Sequence, residues 1–144
     1  MPLLKVWIHL VWATKNRQPV LKKDIREKIC SHIKENGKQK NIHVDFINGY
    51  VDHLHCLVSL NAEQTISKVV QLLKGESSYW ANKNNLCKEK LSWQDEYFAA
   101  SVSESGVNRV REYIKNQDEH HRKKTFQEEY DEFMKNYEFE LIKG

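Results

Sequence analysis

The spacing of apolar residues changes period repeatedly along this chain, and the order of those changes restricts the fold more than any other feature. From Leu3 to Ala13, Leu4, Val6, Ile8, Leu10 and Trp12 alternate with Lys5, Trp7 and His9, the two-residue period of a strand. After Pro19, Leu21, Ile25, Ile29 and Ile33 recur every fourth residue, which predicts a helix over residues 22–36 with Gly37 as its C-terminal stop. Ile42, Val44 and Phe46 then alternate with His43 and Asp45, and a second alternating run, DHLHCLVSL, starts at Asp52. Asn48-Gly49 between two such runs predicts a hairpin turn. Ile66, Val69, Val70, Leu73, Ser77 and Trp80 restore a helical stripe, with Thr65 or Asn61 available as a cap. A polar loop leads to YFAASV, a fourth strand, and beyond Gly106 a third helix is marked by Val107, Val110 and Ile114. Strand, helix, strand, strand, helix, strand, helix is the order of an α+β ferredoxin-like sandwich, a four-stranded antiparallel sheet with helices.

A chain of 144 residues suits one domain. The expected division is a sheet and helix core over about 1–104, a helix over about 106–120, and a C-terminal helix over about 125–139. The last of these, TFQEEYDEFMKNYEF, is so highly charged that it reads as largely solvated. A formal charge of +3 permits a polyanionic partner without demanding one. Cys30, Cys56 and Cys87 are odd in number, far apart and free of any Cys-x-x-Cys pair, so a disulfide framework and a zinc ribbon are both disfavoured and a reducing cytoplasm is expected. The opening apolar run contains Lys5 and His9 and lacks a small-residue cleavage site, which makes it a strand rather than a signal peptide. No apolar stretch reaches the length of a membrane span, and no membrane partner is expected.

Chemistry enters with DHLHCLVSL. His53 and His55 are two residues apart on a strand, so their imidazoles leave the same face, while Leu54, Cys56, Val58 and Leu60 point toward the helices. Two neutral imidazoles at that spacing reach one divalent cation, which can hold and polarise a phosphate oxygen. The other reading of the pair, a solvated or half-buried strand face, stays open. A nucleotide-hydrolysing histidine-triad protein would need a third histidine where this chain has Leu57, and no helical His-Glu-x-x-His run occurs.

The third helix carries VREYIKNQDEHH, in which Tyr113 and Gln117 are four residues apart and share a face. A phenol is a useful nucleophile toward DNA because its phosphate ester conserves the energy of the broken phosphodiester, so the strand can be rejoined without ATP. An ordinary tyrosine has a pKa near ~10 and needs a nearby cation or base to react at neutral pH. A cation held by His53, His55 and the amide oxygen of Gln117 would supply that help, and such ligands suit magnesium or manganese. The alternative for Tyr113 is an amphipathic residue at the edge of the core. His120 and His121 are expected to meet the carbonyl end of their helix.

These segments together resemble a known family, the single-tyrosine HUH transposases of bacterial insertion sequences, including relatives associated with repetitive extragenic palindromes. The resemblance runs through HLVWATKNRQPVL, GYVDHLHCLVSL, LLKGESSYW, WQDEYFAASVS and VREYIKNQ. It implies that His53 and His55 are the paired histidines, Tyr113 the nucleophile and Gln117 the third metal ligand. It also implies a ferredoxin-like fold, a magnesium or manganese cofactor, a homodimer, and cleavage and rejoining of single-stranded DNA at hairpin-flanked element ends through a 5′-phosphotyrosine.

Candidates for DNA contact are Lys15 and Arg17 after the first strand, Lys68 and Lys74 on the second helix, and Arg109 and Arg111 near the tyrosine. Trp12 and Trp80 fall on expected core faces, while Trp93 is a candidate to stack on an unpaired base. Two other function classes compete with the transposase: a domesticated hairpin-binding protein that no longer cuts, and an RNA-binding ferredoxin-like module. The second would display aromatic residues where this chain displays His53 and His55.

Overall fold

A computed structural model of the chain describes residues 3–121, 124–125, 127–129 and 131–132. Four strands, β1 (Trp7–Ala13), β2 (His43–Gly49), β3 (His53–Ser59) and β4 (Phe98–Val102), form one open antiparallel sheet in the order β2-β3-β1-β4. Helices α1 (Lys23–Gln39) and α2 (Ile66–Lys83) join β1 to β2 and β3 to β4, which makes the architecture the expected ferredoxin-like sandwich. Among the described residues no helix is long and apolar enough to cross a membrane.

The two-residue period sorts the sheet into two faces, as the alternation requires. Ile8, Leu10 and Trp12 of β1 and Leu54, Cys56 and Val58 of β3 pack under α1 and α2 with Ile29, Ile33, Val70 and Leu73. The opposite face carries Trp7, His9, Val11, His53, His55 and Leu57, and there α3 (Val107–Lys115) lies over β2 and β3 through Val107 and Ile114. Every chemically interesting strand residue therefore faces α3 rather than the main core. Cys30 and Cys56 are buried in that main core, where loss of hydration pushes the Cys30 thiol up to about 12 and makes it a poor nucleophile.

The elements depart from the expected boundaries where tertiary partners intervene. β1 begins at Trp7 rather than Leu3, because β3 and β4 both run out opposite Trp7, at Ser59 and Val102. Leu3 is consequently 97% exposed. Gly37 does not stop α1; it lies buried inside the helix and gives close passage to the chain returning at Ile42, whose carbonyl oxygen would sit 3.0 Å from an added Cβ. Asn41, with φ 59°, supplies the left-handed residue after the helix. Thr65 caps α2, accepting from the Lys68 N–H at 3.2 Å.

Asn48-Gly49 is not the turn of the hairpin but the end of β2, since Gly49 pairs with Leu54 and the Tyr50 N–H donates to the His53 carbonyl at 3.0 Å. What Gly49 provides is close approach, because a Cβ there would meet the His53 carbonyl oxygen at 2.1 Å and Leu54 Cα at 2.8 Å. Gly49→Ala must therefore push β2 away from the backbone of His53. We expect a loss of about 3 kcal/mol in urea unfolding, at the severe end of overpacking; a midpoint equal to wild type would contradict the packing described.

The helix expected over 106–120 is broken at Asn116 (φ −97°, ψ 28°) into α3 and a short α4 (Gln117–His121). Two side chains hold the break. Asn48 donates its amide to the carbonyls of Ile114 (3.1 Å) and Lys115 (3.2 Å), and buried Arg26 of α1 pairs with Asp118 at 2.9 Å. Both fix where Gln117 points. Most of the expected C-terminal helix lies outside the described residues; 127–129 and 131–132 are helical.

Candidate active site

β3 places His53 and His55 side by side on the α3 face, both fully buried, with ring centroids 5.1 Å apart. Each ring is anchored through Nδ1. His53 Nδ1 is 2.8 Å from Asp52 Oδ1, and His55 Nδ1 is 2.9 Å from Nε2 of His9 on β1. Anchored at Nδ1 in this way, both rings turn Nε2 toward the space beneath α3. Opposite His53 in the sheet stands Ala13, and opposite His55 stands Val11, so His9 is the β1 ring that packs on the pair.

The far side of that space is built by three residues. Tyr113 packs its ring on His55 at 5.4 Å, near perpendicular, and lies 6.2 Å from the ring of His9. Gln117, fully buried at the start of α4, holds Oε1 3.4 Å from His53 Nε2 and donates Nε2 to the Tyr113 carbonyl at 3.2 Å. Glu129 reaches in from the C-terminal segment: its carboxylate is 2.8 Å from His55 Nε2 and 3.4 Å from His53 Nε2, and it accepts the phenolic O–H of Tyr113.

Burial and charge set the protonation of the cluster. Burial, then the adjacent Glu129 charge and its hydrogen bond, push the Tyr113 phenol well above its ordinary range, so within the chain alone it is held as the neutral donor. Burial, reinforced by His55, pulls His9 down to about 3, so it is neutral at any physiological pH. Burial also opposes a charge on His53, but the hydrogen bonds to Asp52 and Glu129 outweigh it and raise its pKa.

The donor atoms of His53, His55 and Glu129 all lie within 4.8 Å of one another, a separation that one divalent cation can span. Gln117 Oε1 borders the same space. Two imidazoles locked at Nδ1, a carboxylate and a carboxamide oxygen fit a divalent cation, and the anchoring of the rings is the second shell that such ligands need. The four residues singled out from sequence, His53, His55, Tyr113 and Gln117, thus come together within one chain. His9, Asp52 and Glu129 were not singled out. His9 was assigned to the correct face of β1, but only the sheet register brings it to His55; Asp52 adjoins the motif; Glu129 was hidden in a charged run that reads as solvated, yet it is 1% exposed.

The profile of the family described as Transposase IS200 like matches residues 3–117. The chain belongs to the IS200-like transposase family. Transposases of this kind cut DNA and transfer strands. Among its relatives, the ISDra2 transposase TnpA of Deinococcus radiodurans is 29% identical over 115 residues, 76% of this chain and 81% of the relative. A crystal structure of a candidate transposase from D. radiodurans R1 superposes with a TM-score of 0.64 at 25% identity, covering 81% of this chain and 93% of the other. A REP-associated tyrosine transposase bound to a REP hairpin shares the fold, with a TM-score of 0.60 at 14% identity over 81% and 68% of the two chains.

On this IS200-like transposase the six cations singled out for DNA are not equivalent. Lys15, Arg17, Lys68 and Arg109 have exposed side chains. Lys74 donates to the carbonyls of Gln94 (2.5 Å) and Asp95 (3.3 Å). Arg111 grips Asp45 through two nitrogens at 2.6 and 3.1 Å and lies over the Trp7 ring, which fixes α3 to β2. Of the tryptophans, Trp12 is buried, Trp80 stacks on His32 at 4.0 Å, and Trp93 donates to Ser77 Oγ and the Lys74 carbonyl, both at 3.1 Å.

Proposed function

We propose that the protein cleaves and rejoins single-stranded DNA at hairpin-flanked element ends through a phosphotyrosine on Tyr113, with a magnesium or manganese ion held by His53, His55 and oxygens from Gln117 and Glu129. The observation that carries this reading is the convergence of a phenol, two anchored imidazoles, a carboxamide and a carboxylate in one buried cluster. Tyr113 Oη attacks the scissile phosphorus, the bond to the 3′ oxygen breaks, and that oxygen leaves as a 3′ hydroxyl while the 5′ phosphate stays on the tyrosine. Glu129, which accepts the hydrogen bond of the phenolic O–H, is placed to take the proton as the new bond forms. A divalent cation at this site supplies the positive charge that favours phenolate and holds a phosphate oxygen. Because each chain contributes one tyrosine and excision requires two cuts, the working unit in this reading is a homodimer, and exposed Lys15, Arg17, Lys68 and Arg109 meet the DNA backbone.

The test is incubation of the protein with a labelled single-stranded hairpin oligonucleotide, with magnesium or with a chelator. A denaturant-resistant protein–DNA adduct that needs the metal supports the reading; hairpin binding with no adduct in either condition leaves a binding protein of the same fold. A finer expectation concerns His9, whose Nε2 lies 2.9 Å from Nδ1 of His55 and holds that ring in place. His9→Ala should weaken manganese binding by about tenfold in a calorimetric titration; unchanged affinity would remove His9 from the support of the metal site.

A further inference from the structure

The α3 face of the sheet is covered over β2 and β3, but beside the site, toward β4, it opens into a cavity of about 320 Å³ at the end of β1. Val11, Ala13 and Phe98 make its apolar floor. The sheet register ties this floor to the candidate active site: Val11 pairs with His55 on one side and with Phe98 on the other, and Ala13 pairs with His53. Paired residues share a face, so the floor starts on the strand next to the two histidines, about 4.8 Å away backbone to backbone.

The rim is polar and tightly built. Asn16 and Arg17 both adopt left-handed backbone conformations, φ 56° and 53°, which is unusual for an arginine and marks a segment constrained by its surroundings. The constraints are visible: Thr14 Oγ1 donates to the Gln18 carbonyl at 2.8 Å, the Lys15 N–H donates to the Ser92 carbonyl at 2.9 Å, and the Asn16 N–H donates to Gln94 Oε1 at 3.1 Å. That last bond holds the Gln94 carboxamide at the cavity, where Gln94 and Asn16 border an aromatic and aliphatic floor.

We propose that this cavity is a base-reading subsite, which takes the base of one unpaired nucleotide flanking the scissile phosphate. An apolar floor with a few fixed polar groups on its edge is what a flat heteroaromatic ring with hydrogen-bonding edges requires. The inference rests on the proposed reading of Tyr113 and the histidines, since it is the scissile phosphate at that site that brings a neighbouring nucleotide to the cavity.

The test separates the two. Tyr113→Phe protein, which needs only to bind, is used to select from a pool of single-stranded hairpin oligonucleotides randomised on both flanks. The expected result is a preference of at least about tenfold for one base at a single flanking position, 5′ or 3′ of the hairpin, that disappears when Gln94→Ala or Phe98→Leu is added. No preference at any flanking position, or a preference that survives both substitutions, overturns the subsite. Phe98→Leu keeps an apolar side chain in the floor, and Gln94 is exposed, so equal unfolding midpoints confirm that neither result reflects a damaged fold. Failure of the catalytic reading shows up elsewhere, as the inability of wild-type protein to form an adduct on the selected oligonucleotide.

Discussion

Tyr113→Phe protein, given a 3′-labelled single-stranded hairpin oligonucleotide and magnesium, should yield no denaturant-resistant adduct, a fall of at least about 10³-fold, the scale on which loss of a covalent nucleophile acts. The substitution deletes one oxygen. Tyr113 keeps its ring against His55 and His9 as phenylalanine, and Glu129 keeps its contacts with both histidines. Hairpin affinity should accordingly stay within about threefold of wild type, because exposed cations rather than the phenol supply the electrostatic attraction. An adduct that persists in the variant would assign the covalent chemistry to another residue. Equal loss of binding and adduct would make Tyr113 a packing residue instead.

The second large effect is expected from the paired histidines. His55→Ala removes the ring that contacts His9, Tyr113 and Glu129 together, and His53→Ala removes the one that contacts Asp52, Gln117 and Glu129. Either should slow adduct formation by at least about a hundredfold, or about 2.7 kcal/mol of transition-state stabilisation. Binding of the hairpin should change far less, and raising the manganese concentration should restore part of the rate in each single variant but not in the double variant. Loss of cleavage and of hairpin affinity in the same proportion would argue that the histidines serve DNA contact or folding rather than a cation.

How far the chain could be read without coordinates follows from which interactions are local. The switch between two-residue and four-residue periods set the element order, and the strand period put His53 beside His55, because alternate residues of one strand share a face. Gln117 lies near Tyr113 although the helix breaks between them, through its bond to the Tyr113 carbonyl. The break at Asn116 was not legible, since it depends on Asn48 and Arg26, which arrive from β2 and α1. Gly37 looked like a helix stop because glycine usually ends helices, but here its missing side chain serves the packing of Ile42 and Val44. Glu129 was the hardest to foresee. A glutamate inside EEYDEF has no local signal that separates it from its solvated neighbours, and only the contacts with two histidines and a phenol 16 or more residues away account for its burial.

The central claim is that one divalent cation sits between His53 and His55 beside the phenol of Tyr113. Pulsed electron paramagnetic resonance on the protein with one equivalent of manganese measures this directly, because nitrogen nuclei bonded to the ion couple to its electron spin. The account predicts two imidazole couplings in the wild type and in Tyr113→Phe, and one in each of His53→Ala and His55→Ala. Manganese that binds with no imidazole coupling, or couplings that survive in the His53→Ala, His55→Ala double variant, would contradict it.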